Sequence, residues 1–231
     1  MSSPAAHPDA AVPTNPRVAT NYPGVRLVLT DPIPAGDVEA ARKRLRAAAE
    51  DLDDIRVAAL VLDLVAEAGV AAAWERVCRP VLSTLRGDSA AEIAVEHALA
   101  EGVRVGLDVS GRDPGRPLPA RGVLLAGVEH ETHCLGLHAL AAALREQGRG
   151  CLHLGPALPW AALATAVART RPRVVVLWSQ TPATGRAYRL VRFRRGFPGV
   201  RVHAAGPGWI EPVPPPSARL TSLAEATAAC R

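Results

Sequence analysis

The spacing of apolar residues along the sequence changes once, at a segment rich in glycine and proline that spans residues 110–121. Before this segment, apolar side chains recur at helical spacing in four stretches that are separated by short polar breaks. These stretches begin near Asp37, Ile55, Ala71 and Ala90. They predict a four-helix bundle over residues 25–109, with residues 110–121 as a linker to a second domain.

After the linker, short apolar runs alternate with stretches of helical spacing up to residue 231. The clearest strand is Arg173–Trp178, in which three valines follow one another. The other predicted strands are Val123–Val128, Cys151–Leu154, Val200–Ala205 and Ala218–Leu220. This alternation predicts an α/β domain over residues 122–231 with a doubly wound parallel sheet of five strands. Ligands of such sheets bind in the loops at the carboxyl ends of the strands, so these loops are the candidate sites.

The composition argues against a membrane protein, a secreted protein and a disulfide-bonded protein. No apolar run is long enough to cross a bilayer, because Asp63 and Glu67 interrupt the best candidate. The four cysteines are scattered without a CxxC pair, as is typical of reduced thiols in the cytoplasm. Residues 1–24 contain five prolines and no secretory signal, and we expect a flexible leader there.

The net charge of +5 and the isoelectric point of about 9.6 do not by themselves indicate a nucleic-acid partner. Lys43 is the single lysine among the basic residues, and such a preference for arginine is typical of a GC-rich coding bias. The basic run Arg186–Arg195 lacks the spacing of RNA-binding motifs, and we expect a solvated helix face. The leader is too short and too rich in proline for a helix-turn-helix, so direct DNA binding is not predicted.

The segment Glu129–Gly136 follows the first predicted strand and carries two glutamates and two histidines within five residues. Three interpretations remain open for them. They are exposed loop residues, or His130 and His133 bind zinc, or one histidine ligates a metal cofactor while a carboxylate orients its other ring nitrogen. A HExxH zinc site needs two histidines four apart on a helix, whereas these are three apart in a loop.

Glu131-x-His133-x-x-Gly136 resembles the D/ExHxxG motif of cobalamin-binding domains, the flavodoxin-like modules of methionine synthase, corrinoid proteins and cobalamin-dependent regulators. Three further landmarks of that family occur in the expected order. They are the turn Leu154–Pro159, the segment Ser179-Gln-Thr181 and the pair Gly206-Pro-Gly208. The resemblance spans residues 121–230 and implies a flavodoxin-like doubly wound domain that binds cobalamin, as adenosylcobalamin or methylcobalamin.

The resemblance also implies a role for each of these residues. His133 would bind cobalt from below, in a base-off, His-on state in which the cofactor's own benzimidazole is displaced. Glu131 would accept a hydrogen bond from the other ring nitrogen of the histidine. Gly136 would let the nucleotide tail pass close to the backbone. The slot for the benzimidazole would be lined by Ser179, Thr181, Gly206 and Gly208.

The helical half resembles the four-helix cap of MerR-family cobalamin-dependent photoreceptors, whose signature is a tryptophan, nine residues and then Glu-His. Glu96-His97 matches the second part of this signature, and His97 could approach cobalt from above. The tryptophan position falls on Arg86. Trp74 lies twelve residues before it and is expected to pack within the bundle, so it is no obvious substitute.

These features predict a binding or regulatory protein rather than an enzyme. The first hypothesis is a cobalamin-binding sensor, responsive to light or to the cofactor, that acts on a separate transcription regulator or on itself as an oligomer. The alternative is a corrinoid carrier that moves a methyl group between partner methyltransferases, which would make the chain a methyltransferase component. A third hypothesis is a degenerate module that serves as a scaffold, against which the intact His133 and Gly136 argue.

Overall fold

The N-terminal half of the protein is a helical cap. The computed structural model describes residues 38–85 and 87–231, so the predicted leader 1–24, residues 25–37 of the predicted bundle and Arg86 lie outside the described residues. The cap consists of α1 (Val38–Glu50), α2 (Asp54–Ala72), a π-helical turn (Ala73–Cys78), α3 (Arg79–Thr84) and α4 (Ala90–Val109). The four predicted helical stretches are present in these residues, the third as the π-helical turn followed by α3.

Helices α2 and α4 pack closely because two glycines of α4 face α2. A Cβ atom at Gly102 would lie 2.5 Å from the Cβ of Val57, and one at Gly106 would lie 2.7 Å from the Cβ of Val61. The two glycines are four residues apart and therefore share one face of the helix. Any side chain at either position would push the helices apart, so the close packing of the cap depends on this pair.

Helix α2 is kinked at Gly69, where the sequence predicts a break. Gly69 has φ 79° and ψ 163°, which is not a helical conformation. The backbone N–H of Val70 is released from the helix and donates to Oε1 of Glu146 at 2.9 Å. Since Glu146 belongs to the sheet half of the protein, the kink connects the two halves of the chain.

Five parallel strands form the sheet of the C-terminal half, in the order β2-β1-β3-β4-β5. The strands are β1 (Val123–Gly127), β2 (Leu152–His153), β3 (Val174–Trp178), β4 (Arg201–Ala205) and β5 (Arg219–Leu220). The helices that follow them are α5 (Leu135–Glu146), α6 (Trp160–Thr170), α7 (Ala187–Arg195) and α8 (Leu223–Ala229). The predicted fold class, a helical region followed by a doubly wound parallel sheet, is confirmed.

Side chains of the two central strands alternate between two hydrophobic cores. Leu125 and Val176 belong to the core that contains α5, α8 and the cap. Leu124 and Val175 belong to the core that contains α6 and α7. Both faces of the sheet are therefore covered, and the carboxyl ends of the strands remain available for a site.

The helical stretch Asp54–Thr84 is long and apolar enough to span a membrane by length and composition, with a mean hydropathy of 1.8 over its most apolar window. In the folded protein, 50% of that window is buried inside the molecule. A core helix of a water-soluble fold passes the same test, so the stretch is weak evidence for a membrane protein.

Candidate functional site

A cavity of about 1190 Å³ lies between the cap and the carboxyl edge of the sheet. Its walls include Trp74, Arg79 and His97 from the cap, and His133, Trp178 and Gly206 from the sheet half. The loops that the sequence predicts as candidate sites, after β1, β3 and β4, therefore meet at one cavity. Small-molecule pockets are typically about 300–1,000 Å³, so this cavity suits a large ligand.

His133 lies in the loop between β1 and α5, and one of its two ring nitrogens is hydrogen-bonded within the protein. The Nδ1 atom is 3.2 Å from Oε1 of Glu131, and the side chain is 64% exposed toward the cavity region. An ionised carboxylate only accepts hydrogen bonds, so Nδ1 carries the proton, and in the neutral imidazole the lone pair is then on Nε2. Among the described residues, no group bonds Nε2. The ring therefore offers one unengaged nitrogen to a ligand in the cavity.

Glu131 is the partner that orients this ring, and its residue surface is only 1% exposed. Its Oε1 also accepts the backbone N–H of His133 at 2.9 Å. Its Oε2 accepts the backbone N–H of Gln180 at 2.8 Å and of Thr181 at 3.2 Å, and the Thr184 hydroxyl at 2.6 Å. Every donor comes from the loop after β1 or the loop after β3. The carboxylate therefore ties these two loops together.

The charge of Glu131 is stabilised by these donors. Burial by itself raises the pKa of the carboxyl, but the hydrogen bonds from Thr184 and from the backbone of His133, Gln180 and Thr181 outweigh it and lower the pKa below the usual value. Glu131 is therefore ionised at neutral pH. An ionised partner fixes the tautomer of His133 and makes the free nitrogen a stronger donor to a metal ion.

Thr184 is a member of the site that the sequence analysis missed. Its hydroxyl donates to Glu131 and also lies 2.7 Å from the Ser179 hydroxyl. Ser179 is fully buried and lies 2.9 Å from the Thr181 carbonyl, to which its hydroxyl can donate. The signal in the sequence was a run of hydroxyl residues after β3, but only the fold shows which of them reaches the carboxylate.

Trp178 is the last residue of β3, and the structure gives its side chain a definite position. Its indole Nε1 donates to the backbone carbonyl of His133 at 2.7 Å. A Cβ at Gly136 would lie 2.7 Å from Cζ2 of the indole and closer still to Cη2 and Cζ3. A Cβ at Gly206 would lie 3.1 Å from Cδ2. The indole thus spans from the first turn of α5 to the loop after β4.

The structure brings most of the predicted site residues to the same cavity. Those that line it are His133, Gly136, Thr181, Gly206, Glu96 and His97. Glu131, Ser179 and Gly208 are buried behind the wall rather than exposed in it. Gly208 packs against the Ser179 hydroxyl and the Thr181 carbonyl, both of which a Cβ at this position would overlap. The binding roles of these residues stay predictions.

The cap contributes a charged wall. Arg79 pairs with Glu75 at 2.8 Å, and Arg104 pairs with Glu101 at 2.6 Å, with side chains between 25% and 55% exposed. Trp74, in the π-helical turn, is 7% exposed and belongs to the core, as the sequence analysis expected, but it also lines the cavity.

Two residues near His133, namely His130 and Cys134, are not suited to zinc binding or to nucleophilic catalysis. The His130 side chain is 85% exposed, and the residue does not line the cavity. No group of three His, Cys, Asp or Glu side chains within residues 38–85 and 87–231 could hold a metal ion, so the zinc interpretation gains no support. Burial and the neighbouring Glu131 raise the pKa of Cys134 to about 12, which makes it a poor nucleophile.

The basic helix α7 is engaged in ion pairs at its start. Arg189 pairs with Glu129 at 2.8 Å, and Arg186 pairs with Glu211 at 3.3 Å. Part of its positive charge is thus neutralised within the chain.

Comparison with solved structures identifies the fold. The chain is similar to the monomethylamine corrinoid protein of Methanosarcina barkeri, with a TM-score of 0.60 and 16% identity, over 82% of this chain and 96% of that one. It is less similar to the methanol:cobalamin methyltransferase complex MtaBC from Methanosarcina barkeri, with a TM-score of 0.41 and 16% identity over 86% of this chain and 83% of that one. A cobalamin-binding protein from Desulfitobacterium hafniense DCB-2 gives a TM-score of 0.40 and 16% identity, over 84% of this chain and 97% of that one.

The chain therefore has the fold of a corrinoid protein, cap and sheet together. No protein-family model matches the sequence, and no curated protein matches it either. At 16% identity the likeness establishes the fold, and the roles of residues are argued from the geometry. The finer resemblance of the cap to photoreceptors stays a prediction.

Proposed function

We propose that this protein binds a corrinoid through His133 and acts as a corrinoid carrier for methyl transfer with partner methyltransferases. The observation that carries the proposal is the buried, ionised Glu131, which holds the proton on Nδ1 of His133 while Nε2 remains unengaged beside a cavity of about 1190 Å³. An imidazole whose second nitrogen is held by a carboxylate is the usual form of a histidine that ligates a metal.

His133 would hold a cobalt corrinoid through Nε2, with Glu131 as the partner of its other ring nitrogen. Glu131 keeps the tautomer of His133 fixed, and Thr184 with the backbone of Gln180 and Thr181 keeps Glu131 ionised. When bound, the corrinoid supplies the cobalt that carries an alkyl group, which is chemistry that side chains alone do not provide.

The carrier is preferred over the sensor because of the extent of the structural likeness. The monomethylamine corrinoid protein is matched over 96% of its length, so the cap and the sheet of that protein both have counterparts here. The sensor remains the second candidate, because Glu96 and His97 lie in the cap wall of the cavity. Binding to a separate regulator, or to a second copy of the chain, belongs to that candidate.

The first test is binding of hydroxocobalamin and methylcobalamin in the dark, followed by gel filtration and an absorption spectrum. We expect the wild-type protein to retain the corrinoid with the spectrum of the base-off, His-on state. His133→Ala should weaken binding by about 10–100-fold and remove that spectrum. His130→Ala is the matched control, because it changes a histidine of the same loop that does not line the cavity. Equal retention and equal spectra in the two variants would refute the role of His133.

A second test separates the carrier from the sensor. The protein loaded with methylcobalamin is kept in dim green light, and its spectrum and oligomeric state are compared with those of a dark sample. We expect a carrier to remain unchanged. A light-driven change of oligomeric state that is lost in His97→Ala would establish the sensor in its place. Failure to bind any corrinoid would leave the scaffold hypothesis.

A further inference from the structure

We propose that Trp178 selects among corrinoids by occupying the space beside His133 that a displaced lower nucleotide would need, so that the chain prefers corrinoids without that nucleotide. The inference rests on the proposed function. It departs from the expectation that Gly136, Ser179 and the glycines after β4 form an open slot for a benzimidazole.

The indole is fixed at three points around this space. Its outer ring covers Gly136, where a Cβ would lie 2.7 Å from Cζ2. The fused edge of its two rings covers Gly206, where a Cβ would lie 3.1 Å from Cδ2. Its Nε1 donates to the carbonyl of His133 at 2.7 Å. The side chain therefore fills the gap between the start of α5 and the loop after β4.

The rest of the expected slot is filled by the chain's own backbone. A Cβ at Gly208 would overlap the Ser179 hydroxyl and the Thr181 carbonyl, and one at Gly185 would overlap the Gly208 carbonyl. The Ser179 hydroxyl is fully buried and bonded to the neighbouring Thr184. These glycines are thus explained by close contacts within the protein. As they stand, the residues do not fit an inserted base.

The position of Trp178 has a consequence for the binding of a corrinoid. If His133 held the cobalt of a complete cobalamin, the cofactor's own base would be displaced and its nucleotide would need space elsewhere in the site. The space next to the ligand is taken by Trp178, so that insertion requires the indole to leave Gly136 and break its bond to His133. A corrinoid that lacks the nucleotide, such as cobinamide, meets no such obstacle.

The test is a spectroscopic titration of the full chain with diaquocobinamide and with hydroxocobalamin. We expect the wild-type protein to bind diaquocobinamide about tenfold more tightly than hydroxocobalamin. Trp178→Leu should remove most of this preference by strengthening the binding of hydroxocobalamin. Trp160→Leu is the matched control, because Trp160 packs in the core on the opposite face of the sheet and should leave the preference unchanged.

A second variant covers the case in which Trp178→Leu does not fold. Trp178→Phe keeps an aromatic ring but is smaller and lacks the Nε1 donor, so we expect a preference between those of the wild type and the leucine variant. Wild-type protein that binds hydroxocobalamin as tightly as diaquocobinamide, or an unchanged ratio in both Trp178 variants, overturns the inference but leaves the proposed function intact. Loss of binding to both probes in the wild type overturns both.

Discussion

The two walls of the cavity hold their polar groups in different ways. The lower wall, formed by the loops after β1 and β3, places one buried carboxylate, Glu131, among five hydrogen bonds from neighbouring backbone and side chains. The upper wall, formed by α3 and α4, carries partly exposed ion pairs such as Arg104 with Glu101. A buried network fixes the position of each atom, whereas exposed pairs are weak and adjustable. This contrast would suit the proposed function, in which a metal ligand is held in a fixed position below the cavity and varied groups are admitted above it.

The largest effect is expected from Glu131→Ala in the lower wall. The change leaves two backbone N–H groups of the loop after β3 without their acceptor, whereas the Thr184 hydroxyl can still donate to the Thr181 carbonyl at 3.1 Å. We expect the free energy of unfolding to fall by about 3 kcal/mol, measured by urea denaturation. Glu129→Ala, in the same loop, removes a partly exposed pair with Arg189 and should cost less than about 1 kcal/mol. Equal losses in the two variants would contradict the view that the buried hydrogen bonds of Glu131 stabilise the lower wall more than a partly exposed ion pair does.

Gly136→Ala should have the next largest effect. The added Cβ would overlap the Trp178 indole, and overpacking of this kind costs about 1–3 kcal/mol. The combination with Trp178→Leu should restore much of the loss, because the obstacle is removed. Gly199→Ala is the control, since a Cβ there meets nothing within 4 Å. Thermal unfolding of the four proteins provides the measurement. A double variant no more stable than Gly136→Ala would show that the indole does not cover Gly136 in solution.

A smaller, pH-dependent effect is expected at His153, where β2 meets α5. Burial, and then the charge of His138, lower the pKa of His153 from 6.5 to about 4. The unfolded chain therefore binds the proton first, and folding stability is lost as the pH falls from 6.5 toward 4. We expect this group to account for about 1 kcal/mol of the loss, because its ring is only partly buried. Unfolding free energies measured across that range should show a shallower slope in His153→Leu than in the wild type, and an unchanged slope would refute the assignment.

The smallest effect is expected from Glu101→Gln in the upper wall. The variant breaks the ion pair between Glu101 and Arg104, whose side chains are 50% and 40% exposed, respectively. Arg104 keeps a second partner in Asp108 at 3.0 Å. We expect a change in unfolding free energy below about 0.5 kcal/mol, checked in the same urea experiment as the Glu131 variant. A loss near that of Glu131→Ala would mean that the upper wall is as rigid as the lower one.

Much of the fold could be predicted because its signals are local. Three consecutive valines mark β3, the Gly/Pro-rich segment marks the change from helices to alternating elements, and Gly69 marks the kink in α2. Each of these depends on the preferences of a few adjacent residues. The motif Glu131-x-His133 is equally local, since the carboxylate contacts the ring only two residues away.

The parts of the site that could not be predicted depend on the pairing of distant segments. Thr184 lies 53 positions after Glu131, and only the alignment of β1 with β3 brings its hydroxyl to the carboxylate. Trp178 ends an apolar strand, where any large side chain would be expected. Its contact with Gly136 follows from the same pairing. The photoreceptor resemblance rests on Glu96 and His97 alone, since Arg86 occupies the position of the family's tryptophan.

Because of where the tryptophans lie, their intrinsic fluorescence can report whether a corrin occupies the cavity. The four indoles are divided between the two sides of the sheet: Trp74 and Trp178 border the cavity, whereas Trp160 and Trp209 lie in the opposite core. Corrins absorb light at the wavelengths at which indoles emit. A corrin in the cavity therefore quenches the near pair more strongly than the far pair. The emission that remains reports occupancy of the cavity without an added label.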